Sequence, residues 1–215
     1  MFLSKSDLKS NVITVACLVF EKKYYNDKIF NTENIVMPDL IFNSIPDRQA
    51  EFLAGRLCAK KCLDVNSIEN TQVSIGENRE PIWPKGLFGS ITHSGGLAAS
   101  VVSKNFSVGI DIESVIDEKV SSDIRDIIAI NKEESIFEEE LISDCSISVI
   151  FSFKEAIYKC LFPHVNRFFD FKDACITSLS KVNEGDGHFT YELSAVINKD
   201  LSNDIKEGHR LYGII

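Results

Sequence analysis

The residues best suited to chemistry in this chain lie in two short runs. One is Val108-Gly109-Ile110-Asp111-Ile112-Glu113, the other Phe151-Ser152-Phe153-Lys154-Glu155-Ala156-Ile157-Tyr158-Lys159. On a strand, alternate side chains share a face, so Asp111 and Glu113 point together with Cα atoms about 7 Å apart. Val108, Ile110 and Ile112 then face a core. On a helix, Glu155 and Lys159 are four apart and share a side. Three carboxylates offer the oxygen ligands that suit Mg²⁺, an ion that takes few protein carboxylates and completes its shell with water and substrate phosphate. A lysine beside them adds a proton-handling group, and the set suits phosphoryl chemistry. An exposed strand face carrying two unrelated acids fits the same spacing.

The cationic residues add a second theme. Arg48 and Arg56 are eight apart on one expected helix, a little over two turns and so roughly on one side. A guanidinium fork donates two hydrogen bonds at once to a phosphate. A solvated helix face is the other reading. Arg79 lies in an extended loop, Asn78-Arg79-Glu80-Pro81-Ile82-Trp83-Pro84, with no structural need for a cation. His93 follows a strand and precedes Ser94-Gly95-Gly96, whose backbone allows close approach of a ligand. It also reads as a satisfied structural histidine. Lys154 flanks Glu155 on a neighbouring helix face. No G-x-x-x-x-G-K-[ST] loop, G-x-G-x-x-G run or G-x-S-x-G elbow is present, and no Cys has a local activating context.

The elements that must position these groups follow from the pattern. Val12–Phe20 reads as a first strand, preceded by the polar Met1–Ser10. Ser44 can cap a helix with Pro46 and Asp47 in its first turn, running to about Cys62, with Phe52, Leu53, Leu57 and Ala59 in its apolar stripe. Leu97–Ser103 and Phe106–Glu113 read as strands joined by a tight turn at Lys104-Asn105. Ser121–Ser143 is acidic and helical, its glutamates on a solvated face. A helix from about Ser146 to Phe162 is stopped by Pro163, and Phe168–Asp173 is a loop. Cys175–Leu179, His188–Val196 and Leu211–Ile215 close the chain as antiparallel strands. Partial segregation of strands and helices gives an α+β class. A soft boundary near Ser103–Asn105 separates two lobes, 1–104 and 105–215.

Composition limits the partners. The 215 residues carry a net charge of −9, which argues against a general nucleic-acid binder while leaving room for a local basic pocket. Hydrophobic content of 44% with 15 Phe supplies a core. The six Cys are scattered; Cys58 and Cys62 stand at helical spacing with no second ligand pair, so buried thiols in a reducing cytosol are expected rather than zinc. No run reaches the ~20 apolar residues of a membrane span, and the chain reads as soluble and unexported.

Together these motifs resemble a known family. Gly89-Ser90-Ile91-Thr92-His93-Ser94-Gly95, then the Asp111–Glu113 run, then Phe151–Lys159 are similar to blocks of the 4′-phosphopantetheinyl transferases, most closely the enterobactin-synthase type of the surfactin group. Arg48-Gln49-Ala50-Glu51-Phe52-Leu53-Ala54-Gly55-Arg56 and Arg79–Pro84 resemble two further blocks. The order and spacing are the family's, from Arg48 to Lys159; the ends match loosely. Ala156 stands where Ser is more frequent.

The resemblance implies a pseudo-twofold monomer of two similar α+β lobes with the active site in the cleft between them. It implies transfer of phosphopantetheine from coenzyme A to a serine of an apo carrier protein, peptidyl, aryl or acyl, with release of 3′,5′-ADP. Asp111, Glu113 and Glu155 would bind Mg²⁺, with Mn²⁺ an alternative. His93 would contact the 3′-phosphate, and Arg48, Arg56 and Arg79 further phosphate or nucleotide atoms, with Thr92 near the nucleotide. Lys154 and Lys159 would contact phosphate, Lys159 serving the leaving group. Glu155 would take the serine proton, directly or through a water. The acidic chain and an acidic carrier require a local basic or apolar docking patch. A non-catalytic coenzyme A or carrier-binding module of the same fold, and an unrelated Mg²⁺-dependent phosphohydrolase, are the competing readings.

Overall fold

The computed structural model describes residues 13–69, 71–140, 145–185 and 188–215. The expected features at Met1–Ser10, Val12 and Ser143 lie outside them. The chain divides into two compact units after Ile112, so that residues 105–112 belong to the first. Helices and antiparallel strands make up both, an α+β composition.

In the unit Asn11–Ile112, the apolar run expected at the N-terminus forms β1 (Ile13–Val19). Two short helices follow, α1 (Lys28–Thr32) and α2 (Asp39–Phe42), then the long α3 (Pro46–Val65). Pro46 opens α3, where its missing N–H costs nothing. Ser44 does not cap it: the hydroxyl donates to Leu40 O at 2.7 Å and closes α2, leaving Ile45 at the cap position. A small hairpin of β2 (Ser74–Ile75) and β3 (Pro81–Ile82) precedes β4 (Phe88–Ser94) and β5 (Leu97–Ser103).

The main sheet has the order β1-β5-β4, all antiparallel, with Cys17 and Thr92 both in register with Ala99. Small residues let α3 approach it closely. Ala54, Cys58, Ala59 and Cys62 are buried, and the Cys58 and Cys62 thiols donate to Ala98 O and Ser100 O at 3.5 and 3.4 Å. Their four-residue spacing therefore serves packing. Cys17, in contrast, is exposed. No disulfide joins the cysteines among the described residues.

The segment 106–113, expected as a strand, is irregular. β5 already has β1 on one edge and β4 on the other, so its backbone has no edge left for a hairpin partner.

In the unit Glu113–Ile215, the acidic segment divides into α4 (Glu118–Ile128), capped by the Asp117 carboxylate, and α5 (Asn131–Glu140). The next helix, α6 (Ser146–Val165), runs through Pro163, contrary to expectation. Proline in the last turn removes a single helical bond, and Asn166 ends the helix at φ 48°, its N–H donating to Phe162 O at 2.8 Å. The closing strands are β6 (Ala174–Gly185), β7 (His188–Ile197) and β8 (Arg210–Ile214), an antiparallel sheet in that order. Ile150, Ile157 and Leu161 of α6 share one core with Ile176, Leu193 and Ile197 of the sheet. No helix among the described residues is long and apolar enough to cross a membrane.

Candidate functional site

Three arginines and a histidine converge in the first unit. Arg48 and Arg56 of α3, Arg79 of the β2–β3 turn and His93 of β4 line one open pocket of about 430 Å³. Helical period puts the first two on one side; the sheet and hairpin bring the others across to them. The hairpin does this at a cost. Arg79 sits at φ +68°, uncommon for a side chain with a Cβ, held by Gly76 N to Glu80 O and by its own N–H to Gly76 O.

Arg56 is the deepest of the four, 9% exposed. Its guanidinium lies 4.5 Å from the centre of the Phe52 ring and donates to Ser74 O at 3.4 Å, while its Nε has no hydrogen-bond partner among the described residues. Burial, with Arg48 adding to it, brings its pKa down to about 10. A buried cation with spare donors is poised for an anion.

Arg48 donates to His93 Nε2 at 2.9 Å. Guanidinium has no acceptor, so this ring nitrogen accepts and the proton resides on Nδ1. Nδ1 lies 3.9 Å from the Glu51 carboxylate, which also holds Lys22 at 2.7 Å and Arg48 at 3.6 Å. Burial would raise the Glu51 pKa, but Lys22, His93 and Arg48 together hold it below the usual carboxylate range. Glu51 carries no motif of its own in the sequence. Its place three residues after Arg48, on the same helix face, was the available signal.

Thr92 is 4% exposed and ties Asp111 to β4. Its hydroxyl donates to Asp111 Oδ1 at 3.0 Å and accepts from Ile112 N at 3.1 Å. Asp111 is thus aimed by a side-chain tether rather than by strand pairing.

In the second unit, Glu113 is exposed and accepts from Ser114 N at 2.8 Å. Glu155 and Lys159 are half-buried on α6. Glu155 borders an apolar pocket of about 190 Å³ with Tyr158, Phe168, Phe169 and Phe171. Burial raises the Tyr158 pKa, and the Glu155 carboxylate adds to the effect. Within each unit, no three His, Cys, Asp or Glu side chains gather as a metal cluster among the described residues.

Lys154 departs from expectation. It is 2% exposed, and its ammonium donates to the Glu133 carboxylate at 2.8 Å and to Ile128 O at 2.7 Å. Its donors turn inward rather than toward a phosphate. Glu133, expected on a solvated face, is fully buried. Its carboxylate also accepts from Ile130 N at 2.8 Å and Ile176 N at 2.7 Å. Spacing accounts for the Ile130 bond, three residues back, but the Lys154 and Ile176 donors come from elsewhere in the chain.

Two family models match in chain order. That of the 4′-phosphopantetheinyl transferase N-terminal domain covers residues 38–103, which hold Arg48, Arg56, Arg79, Thr92 and His93. That of the 4′-phosphopantetheinyl transferase superfamily covers 107–199, with Asp111, Glu113, Lys154, Glu155 and Lys159. Enterobactin synthase component D of Salmonella typhimurium is 34% identical over 134 residues, 62% of this chain and 56% of that protein. The 4′-phosphopantetheinyl transferase PptT of Mycobacterium tuberculosis is 33% identical over 142 residues, 64% and 62% of the two chains. Npt of Nocardia iowensis, also named a 4′-phosphopantetheinyl transferase, is 29% identical over 163 residues, 72% and 71%. The alignment spans little more than half the length of the Salmonella protein. With both models falling in order along it, the chain belongs to the 4′-phosphopantetheinyl transferase superfamily.

Proposed function

We propose that this protein transfers the 4′-phosphopantetheine group of coenzyme A to a serine hydroxyl of an apo carrier protein, releasing 3′,5′-ADP. The observation that carries the reading is the pocket of Arg48, Arg56, Arg79 and His93. Four cationic or cation-forming groups on an acidic chain fit a ligand of high negative charge, such as the phosphorylated nucleotide end of coenzyme A. The serine oxygen attacks the β-phosphoryl group, the pyrophosphate P–O bond breaks, and the 3′,5′-ADP oxygen leaves with the electron pair. Glu155 takes the serine proton, directly or through a water. Lys159, one turn along α6, neutralises the leaving phosphate.

Asp111, Glu113 and Glu155 are the proposed holders of a divalent cation, Mg²⁺ or Mn²⁺. Their chemistry fits a hard ion, and the Thr92 tether fixes one donor in advance. When bound, the cation supplies positive charge to the pyrophosphate oxygens. Two similar lobes with the active site in the cleft between them belong to the same proposal. Two compact units, each with a 20-residue helix and a three-stranded antiparallel sheet, support it. The carriers are peptidyl, aryl or acyl carrier domains of siderophore or other non-ribosomal peptide synthesis. The enzyme acts as a cytoplasmic monomer.

Purified protein with coenzyme A, Mg²⁺ and apo carriers should raise one carrier's mass by one phosphopantetheine. Binding of coenzyme A with no mass change on any of several carriers favours a non-catalytic binding module. Phosphate release without a carrier favours a phosphohydrolase.

A further inference from the structure

We propose that Glu133 and Lys154 are positioning residues that set the rotation of α6, and with it the direction of Glu155 and Lys159. The proposal rests on the transferase reading for the roles of those two residues.

The junction draws on four elements. The Lys154 ammonium on α6 reaches Glu133 Oε2 at 2.8 Å and the last carbonyl of α4, Ile128 O, at 2.7 Å. Glu133 sits in the first turn of α5 and accepts from Ile130 N just before that helix. Its other oxygen accepts from Ile176 N, at the start of β6. Both side chains are essentially sealed, 1% and 0% exposed. A buried pair of this kind gives little net stability over an apolar pair, because desolvation opposes the attraction. Its directional bonds, however, admit one arrangement.

That arrangement bears on the site because Glu155 is the next residue. Successive helical side chains are about 100° apart, so pinning Lys154 inward fixes where Glu155 projects. Lys159 follows four residues later on the same face. Without that pin, α6 is held by non-directional apolar contacts, which tolerate a small rotation, and a displacement of Glu155 or Lys159 near 1 Å costs about 100-fold in rate.

The test uses Lys154→Met and the double variant Lys154→Met/Glu133→Gln, which removes both buried charges should the single change impair folding. Hydrogen exchange at 154–159 should accelerate about tenfold in either variant, with the β7 amides unchanged; unchanged exchange on α6 overturns the proposal whether or not the protein is a transferase. In carrier assays kcat should fall by about tenfold or more, while KM for coenzyme A and the Kd for 3′,5′-ADP stay within about threefold. Lys154→Arg, which keeps a donor for Glu133, should restore most of the loss. A tenfold weaker Kd for 3′,5′-ADP in Lys154→Met would instead make Lys154 a ligand contact and sink the positioning role. If the unaltered protein modifies no carrier, the transferase reading fails, and the exchange measurement still decides whether the pair pins α6.

Discussion

The Thr92 hydroxyl donates to Asp111 Oδ1 at 3.0 Å and accepts from Ile112 N at 3.1 Å. One buried oxygen therefore holds both the side chain and the following backbone of a segment that forms no strand among the described residues. Thr92→Val keeps the shape and removes both bonds. It should lower stability by about 1–3 kcal/mol in urea unfolding, while Thr92→Ser stays near the parent. A Val variant as stable as the parent would show that 111–112 is held by other means.

Arg56 is a buried charge without full compensation, so Arg56→Met separates its structural cost from its use. Affinity for 3′,5′-ADP, measured by calorimetry, should fall by about 10- to 100-fold, the worth of a charged hydrogen bond. Urea stability should hold or rise. The sign follows from its pKa of about 10, below the ordinary value of 12.5. Between these values the unfolded chain binds more protons, so the burden is present at neutral pH and lifts only as pH climbs through that window.

His164 and His209 both have pKa values below ordinary imidazole, chiefly through burial. The native state thus binds fewer protons than the unfolded chain as pH falls past the usual histidine range. Their contribution to stability is complete above that range and is lost below it. The urea midpoint should drop between about pH 7.5 and 5.5, and the drop should shrink in His164→Gln/His209→Gln. An unchanged drop would assign the effect to other groups.

Gly55 packs α3 on β4 so closely that an added Cβ would lie 2.8 Å from Ile91 Cγ2. Alanine is the better helix former, by roughly 0.5–1 kcal/mol, yet overpacking costs about 1–3 kcal/mol. Gly55→Ala should therefore be net destabilising in urea. It should also weaken 3′,5′-ADP binding, since both residues border the cationic pocket. A stabilised variant would mean that Ile91 yields freely.

Local pattern carried much of this fold. The strands β1 and β5, the helices α3 and α6, and the helix-spaced pair Arg48 and Arg56 are readable from period alone. Residues 106–113 alternate like a strand, but a strand needs a free neighbour, and sheet order is a non-local fact. Glu133 has the composition of a surface residue; its burial is decided by Lys154, Ile130 and Ile176. The meeting of Arg79 and His93 with the two helical arginines likewise depends on a hairpin and a sheet edge. Pro163 misled because a proline in the last turn removes one bond rather than a helix.

The Glu133 junction also bears on how the chain folds. Its partner Lys154 is 21 residues away, whereas Ile176 is 43 away. The shorter loop closes more readily, so α5 and α6 can meet while β6 is still unformed and the carboxylate still wet. Docking of β6 would then complete the burial of that carboxylate. The unit Glu113–Ile215 should then pass its folding barrier with Lys154 engaged and Ile176 not. Substitution at Lys154 would slow folding, and loss of the Ile176 bond would chiefly speed unfolding.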